Sequence, residues 1–460
     1  MQTAEQTAVL VVEWARDGRF EEIVALFSPP LRAAVTVEAL QAAWLAETAR
    51  TGPVTGLGEA SSEPLRPDLT RVGVPALCER GQFTVVMSID SAGLLNGLHL
   101  APPAGEPWAP PCYADPDAFE EHEVTVGTGP LAVAGTVTVP HGDGPWPGVV
   151  LLSGGGPFDR DATSGPNKPL KDLAWGLAGR GVAVLRHDKV TFTHAAQVAA
   201  ADDFTMTHEY VPYAVAAVRL LQEEPCVDSS RVFVAGHSMG GKVAPRVAEA
   251  EPSVAGVVIL AGDAEPMHRA AVRVVGHLAA LDPGPGSEAF LAEITRQAAT
   301  VETALSPRTP REDLPFGLSA SYWLDLRSYD PVATAARLDK PLLILQGGRD
   351  YQVTVEHDLS LWQEGLTGHP DVTVQIHEAD DHLFFPGTGP STPAGYMTPQ
   401  QHVDAAVIAD ISAWLDSQLE RADPAGGPKR PRRAGTPETD ALSGARDARA
   451  VHAVADSREQ

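Results

Sequence analysis

The chain has 460 residues, 43% of them apolar and 20% charged, which allows more than one domain and a sizeable core, and no apolar run approaches the length that spans a bilayer. A formal net charge of -26 repels phosphate and argues against nucleic acid as a partner, while the acidic residues are scattered in the manner of a solubilising surface rather than an interaction tail. Two glutamates precede the first positive charge, the apolar run 8–12 is too short for a signal-peptide core, and Cys78, Cys112 and Cys226 lack paired spacing, so free thiols and a cytoplasmic location are expected.

Residues 1–115 read as one unit. Helical periodicity over 5–16 and 37–48 flanks the segment 20–27, and the pattern then turns to strands. Strict alternation over 82–90 places Phe83, Val85, Met87 and Ile89 on one face, and Asp90-Ser91-Ala92-Gly93 turns the chain into a further strand over 94–100. Helices followed by a hairpin predict a small α+β domain. The proline-rich stretch 101–111 continues neither helix nor sheet and marks its end.

From residue 121 strands alternate with helices, which predicts an α/β fold: a mostly parallel sheet with helices on both faces. An antiparallel pair over 124–126 and 131–139 opens it. Parallel strands are expected at 148–153, 181–186, 231–235, 253–261, 341–346 and 372–376, with helices at 168–179, 207–223, 240–250, 355–366 and 400–419. Residues 264–335 break this rhythm and read as a helical cap inserted over the carboxyl edge of the strands, where open α/β sheets bind ligands. The catalytic unit is thus expected over 121–420, and 421–460, without apolar periodicity, as a disordered tail.

Gly236-His237-Ser238-Met239-Gly240 lies between the buried run 232–235 and a helix start. A Gly-x-Ser-x-Gly pattern alone is weak in a chain rich in Gly, Ala and Ser. A strand before it and a helix after it are the context of a nucleophile elbow, with Ser238 strained on a sharp turn and glycines admitting the neighbouring backbones. A serine hydroxyl needs a base, and the base needs an acid to set its tautomer. Asp350 ends the buried strand 342–346 after a glycine turn and is the first choice of acid. Asp263, which also ends a strand, is the rival. His382 follows the next strand and is the expected base, while its neighbours Asp380 and Asp381 are expected as solvated loop charges. The oxyanion hole should take the N–H of Met239, after the nucleophile, and a second donor from Ser153-Gly154-Gly155-Gly156-Pro157; Gly155 is favoured, with Gly154 or Gly156 as alternatives.

These motifs together resemble the EstD-type bacterial carboxylesterases of the α/β-hydrolase superfamily. The matching residues are Gly154-Gly155-Gly156-Pro157 with Asp159-Arg160-Asp161, the stretch 165–174, Leu185-Arg186-His187-Asp188-Lys189, the elbow, 347–353, and Asp381-His382-Leu383-Phe384. The resemblance implies Ser238, Asp350 and His382 as a triad, a small-molecule ester as substrate and no cofactor. Residues 1–115 resemble, more weakly, the DUF3887-type domain found before such hydrolases. Two positions depart from the family pattern: Ser153-Gly154-Gly155-Gly156 stands where many relatives carry His-Gly-Ser-Gly, and Val190 stands where many carry Arg. Asp159, Arg160 and Asp161 are expected to hold their loop by ion pairs.

No metal-binding spacing occurs, and the glycines of 154–156 lack the spacing of a phosphate loop. The same triad would serve an acyltransferase or cyclase, and a silent scaffold used for binding is the reading from a different class; a complete triad argues against the latter. Phe316, Tyr322 and Trp323 in the insertion are expected to roof the site and favour short acyl chains.

Overall fold

The computed structural model describes residues 3–66, 69–101, 108–397 and 399–422. The tail expected beyond residue 420 lies outside the described residues except for 421 and 422, which are helical. Four helices come first, α1 (Ala4–Arg16), α2 (Phe20–Ala25), α3 (Pro29–Ala34) and α4 (Val37–Thr51). Thr3 caps α1 in a reciprocal box with Gln6, and Ala8, Val11, Val12 and Ala15, at helical spacing, form its buried stripe. Strands β1 (Val54–Leu57), β2 (Ser61–Arg66), β3 (Leu69–Cys78), β4 (Gly81–Asp90) and β5 (Leu95–Ala101) follow. They pair antiparallel in the order β1-β3-β4-β5, with β2 also on β3. Phe83, Val85, Met87 and Ile89 are buried as their alternation predicts, opposite Ala76, Val74 and Val72 on β3. Trp44 of α4 stands edge-on to Phe83 at 5.3 Å, closing a core drawn from residues up to 100.

The second sheet contains β6 (Phe119–Val126), β7 (Val133–Pro140), β8 (Trp146–Leu152), β9 (Ala183–His187), β10 (Val227–His237), β11 (Val257–Leu260), β12 (Leu342–Gly347) and β13 (Val372–His377), ordered β13-β12-β11-β10-β8-β9-β7-β6. The run from β13 to β9 is parallel, and β7 and β6 are antiparallel to their neighbours. Its central strands are continuous apolar runs because both faces are covered. On one face Val150, Leu152, Val232 and Val234 meet α8 (Met206–Glu223) and α9 (Met239–Ala250). On the other, Val149, Leu151, Phe233 and Ala235 meet α5 (Pro169–Ala178) and α16 (Ala405–Ala422), where Trp414 stands edge-on to Phe233 at 5.6 Å.

Between β9 and α8 lie two short helices that the sequence pattern does not announce, α6 (Val190–Thr193) and α7 (Ala195–Ala199). After β11 come α10 (Met267–Leu281), α11 (Pro285–Thr303), α12 (Ala320–Ser328) and α13 (Pro331–Ala336). The helix expected over 355–366 is a π-helical turn, Val355–Leu359, continued by α14 (Ser360–Gly365). Short α15 (Pro393–Met397) precedes the last helix. That helix starts at Ala405, later than its pattern suggests, because residues before it are held extended: Gln401 N–H by Asn167 at 2.7 Å, Val403 N–H by Asp172 at 3.0 Å and Asp404 N–H by the Phe384 carbonyl at 2.9 Å.

Candidate active site

Parallel pairing sets Leu152 beside Gly236, His237 beside Leu260 and Leu260 beside Leu345, so the loops after β8, β10, β11 and β12 gather at one sheet edge. Ser238 sits between β10 and α9 with φ 54° and ψ -122°, a backbone region that side chains other than glycine rarely occupy. The turn is closed by near contact of backbones. A Cβ on Gly236 would strike the Gly240 carbonyl, and one on Gly240 would lie 2.5 Å from the Leu152 oxygen. That is the steric reason for a glycine on each side of the serine.

Asp350 and His382 come together as the sequence suggests. Asp350 accepts the Nδ1–H of His382 at 2.7 Å, which leaves Nε2 as the ring atom for chemistry. The carboxylate is itself fixed by the N–H groups of Gln352 at 2.8 Å and Val353 at 3.0 Å. Burial draws the His382 pKa down, but the charge and hydrogen bond of Asp350 outweigh it, and the group lies above the ordinary histidine value. His237 donates from Nε2 to the His382 carbonyl at 2.7 Å; burial, together with the His382 charge, pushes it down to about 3, so it stays neutral.

Asp263, the rival acid, is committed elsewhere: its carboxylate takes the ammonium of buried Lys242 at 2.6 Å. Asp380 and Asp381 are not the solvated loop charges expected of them. Both are buried, because the loop after β13 folds under His382 and packs against Gly347, where a Cβ would meet the carbonyls of both aspartates. Asp381 accepts from the N–H groups of Leu383 at 2.9 Å and Phe385 at 3.1 Å, fixing the turn that carries His382. Burial and the adjacent carboxylates of Asp404 and Asp381 push Asp380 up to about 7.

The loop 153–157 passes directly over the elbow, and a Cβ on Gly154 would come within 3.2 Å of that of Ser238. The N–H groups of Met239 and Gly155 meet no backbone acceptor among the described residues. Ion pairs anchor the flank of this loop. Arg160 pairs with Asp188 at 3.0 Å, and Asp161 with Arg186 and Lys168, both at 2.8 Å, while Asp159 holds Thr163. Val190, which stands at the family's arginine position, is fully buried in the core.

Ser238, His382, Met239 and Gly155 line one cavity of about 930 Å³. Its far wall is apolar, with Met267, Val274 and Leu278 of α10 and Phe290 of α11. Phe316 and Tyr322 take part in this wall, but Trp323 does not line it: it turns back into the core and donates to the Pro315 carbonyl at 3.3 Å. The volume is more than an acyl chain of a few carbons fills. Arg273 of α10 reaches the carbonyls of Tyr351 at 3.1 Å and Gln352 at 3.0 Å, tying the insertion to the turn that holds Asp350. Among the described residues no cluster has the makings of a metal site, and no helix is long and apolar enough to cross a membrane. Glu209, which lines the cavity, and Tyr210 behind it escaped the sequence reading, since a carboxylate and a phenol inside an amphipathic helix carry no local signal.

Esterase EstD of Thermotoga maritima is 33% identical to this chain over 413 residues, covering 89% of the chain and 95% of that protein. Among solved structures, Est1E from Butyrivibrio proteoclasticus is 15% identical with a TM-score of 0.43, covering 65% of this chain and 98% of that one. An esterase from Pyrococcus furiosus is 16% identical with a TM-score of 0.41, covering 68% and 98%. No family model matches the chain, so the likeness of residues 1–115 to a DUF3887-type domain rests on sequence alone.

Proposed function

This chain belongs to the α/β-hydrolase family of Esterase EstD and is a carboxylic ester hydrolase, and we propose that it works through an acyl-enzyme on Ser238 with His382 as base and Asp350 as its acid partner. The observation that carries this reading is the buried 2.7 Å contact of His382 Nδ1 with Asp350, His382 itself lining the cavity that also holds the strained Ser238. His382 Nε2 takes the hydroxyl proton as Oγ attacks the acyl carbonyl. The developing oxyanion is met by the N–H groups of Met239 and Gly155, and the imidazolium is stabilised by Asp350. As the tetrahedral intermediate collapses, His382 returns the proton to the departing alcohol. Water, deprotonated by the same nitrogen, then attacks the acyl-enzyme and releases the acid and the Ser238 hydroxyl.

The apolar cavity suits an uncharged ester with a short acyl chain and an apolar alcohol group sharing the space. A panel of nitrophenyl esters of increasing acyl length tests this, with kcat/KM expected to fall as the chain lengthens. Ser238→Ala tests the mechanism: a folded protein should lose ester hydrolysis by roughly a millionfold and lose covalent labelling by a fluorophosphonate. Retained labelling would remove Ser238 from the reaction.

A further inference from the structure

Beneath the loop that crosses the elbow lies a buried polar cluster that the reaction as described does not use. The Lys189 ammonium donates to the Gly154 carbonyl at 2.8 Å and to the Tyr210 hydroxyl at 2.7 Å, and Tyr210 donates to the same carbonyl at 2.7 Å. Glu209 faces the ammonium at 2.9 Å and accepts from Thr191 at 2.8 Å and from the Tyr322 hydroxyl at 2.5 Å. That hydroxyl also reaches the sulfur of Met239 at 3.4 Å. Lys189, Glu209, Tyr210 and Tyr322 are all buried. An ammonium is expensive to desolvate, and here it is spent with a phenol on one backbone oxygen.

A trans peptide is planar, with its C=O and N–H on opposite sides. Two donors on the Gly154 carbonyl therefore aim the N–H of the same peptide unit, which belongs to Gly155, away from the cluster and toward the cavity. Three successive glycines have the greatest freedom to turn that peptide over, so something outside the loop must hold it. We propose that Lys189 and Tyr210 are positioning residues for the oxyanion hole, locking the Gly154–Gly155 peptide with its N–H presented to the developing oxyanion, while Glu209 and the cap residue Tyr322 brace them. The positive charge on the carbonyl also polarises the peptide and makes its N–H a stronger donor. This inference rests on the Ser238 reading.

Lys189→Met leaves Glu209 buried without its cation, so Lys189→Met/Glu209→Gln is made beside it, and Tyr210→Phe removes a single hydroxyl. For the double variant we expect kcat to fall about 10- to 100-fold with KM little changed, somewhat less than complete loss of an oxyanion donor. The affinity of a trifluoromethyl ketone, whose adduct carries the oxyanion, should fall in proportion to kcat/KM. The acyl-enzyme carbonyl stretch should move to higher wavenumber as its hydrogen bond weakens. Tyr210→Phe should show the same pattern, several-fold in size. A double variant or Tyr210→Phe that keeps wild-type kcat, or that loses kcat with ketone affinity and carbonyl stretch unchanged, would overturn the positioning role. Failure of the Ser238 reading shows separately, as fluorophosphonate labelling that survives Ser238→Ala.

Discussion

At the scale of single residues, two aspartates at neighbouring strand ends have different work. Asp350 holds the Nδ1–H of His382, and Asp263 neutralises Lys242. Asp350→Asn is expected to lower kcat by about 10⁴-fold, since an amide neither sets the tautomer nor stabilises the imidazolium. Asp263→Asn should leave kcat nearly intact and lower Tm, because it strips a buried ammonium of its counter-charge. Ester assays and thermal melts on both variants check this, and the opposite ranking in kcat would exchange the two roles. The base must be neutral to accept a proton. Because the His382 pKa lies above the ordinary histidine value, the acid limb of kcat/KM against pH is expected above 6.5. In Asp350→Asn the limb should move to lower pH, as burial is then opposed by less.

At the scale of elements, the turn between β10 and α9 and the flank of the loop 153–157 are built on opposite principles. The turn depends on absence of side chains: a methyl group on Gly240 would press on backbone oxygens of Leu152 and Ser153 at 2.5 and 2.7 Å, which the core cannot yield. Gly240→Ala is expected to destabilise the fold by at least about 3 kcal/mol, readable as a drop in the urea midpoint. The flank depends on charge. Asp161 joins Arg186 and Lys168, and Arg186, 2% exposed, also holds Glu121 at 2.9 Å and Thr138 at 2.9 Å. Asp161→Asn should cost about 1.5–3 kcal/mol, the range of hydrogen bonds to charged groups, because Arg186 keeps Glu121 as its counter-charge. Burial raises the pKa of Asp161, but the Arg186 charge outweighs it and the net value is lowered. Its contribution is therefore fully present above the ordinary carboxylate range and is lost as pH falls through the depressed value. The variant should then show a smaller acid-side stability change than the wild type.

At the scale of the whole molecule, we propose that the first hundred residues are a separate folding body. Their core is drawn from residues up to 100, and none of the described ones lines the cavity over Ser238. Trp108 and Tyr113 are anchored to α5 and to the stretch before α16. Trp108 donates to Asp172 at 2.8 Å and stands edge-on to Trp175 at 4.9 Å, and the Tyr113 hydroxyl donates to the Val403 carbonyl at 2.8 Å. A chain beginning at Trp108 is expected to fold and keep kcat/KM, whereas one beginning at residue 114 should melt at lower temperature. Loss of activity in the first would show that the N-terminal body supports the reaction.

The sequence by itself disclosed the α/β architecture, the strand-serine-helix turn and the glycine loop above it, and it ranked Asp350 before Asp263 as partner of His382. Each has a local signature: continuous apolar runs ending in glycine turns, alternation in β4, and a serine between strand and helix. Tertiary structure decided what has no such signature. Asp380 and Asp381 look like loop charges in the sequence and are buried because the loop folds under His382. Trp323 looks like a roof and is core, because α12 turns that face toward the Pro315 carbonyl. Lys189 and the glycine loop are distant in sequence from the adjacent pair Glu209-Tyr210, and they meet only when α8 packs beneath the loop after β8. Hydrophobic period and turn chemistry are properties of neighbouring residues and can be read along a chain. The partner of a buried charge is chosen by which elements pack together, and that choice exists only in the folded molecule.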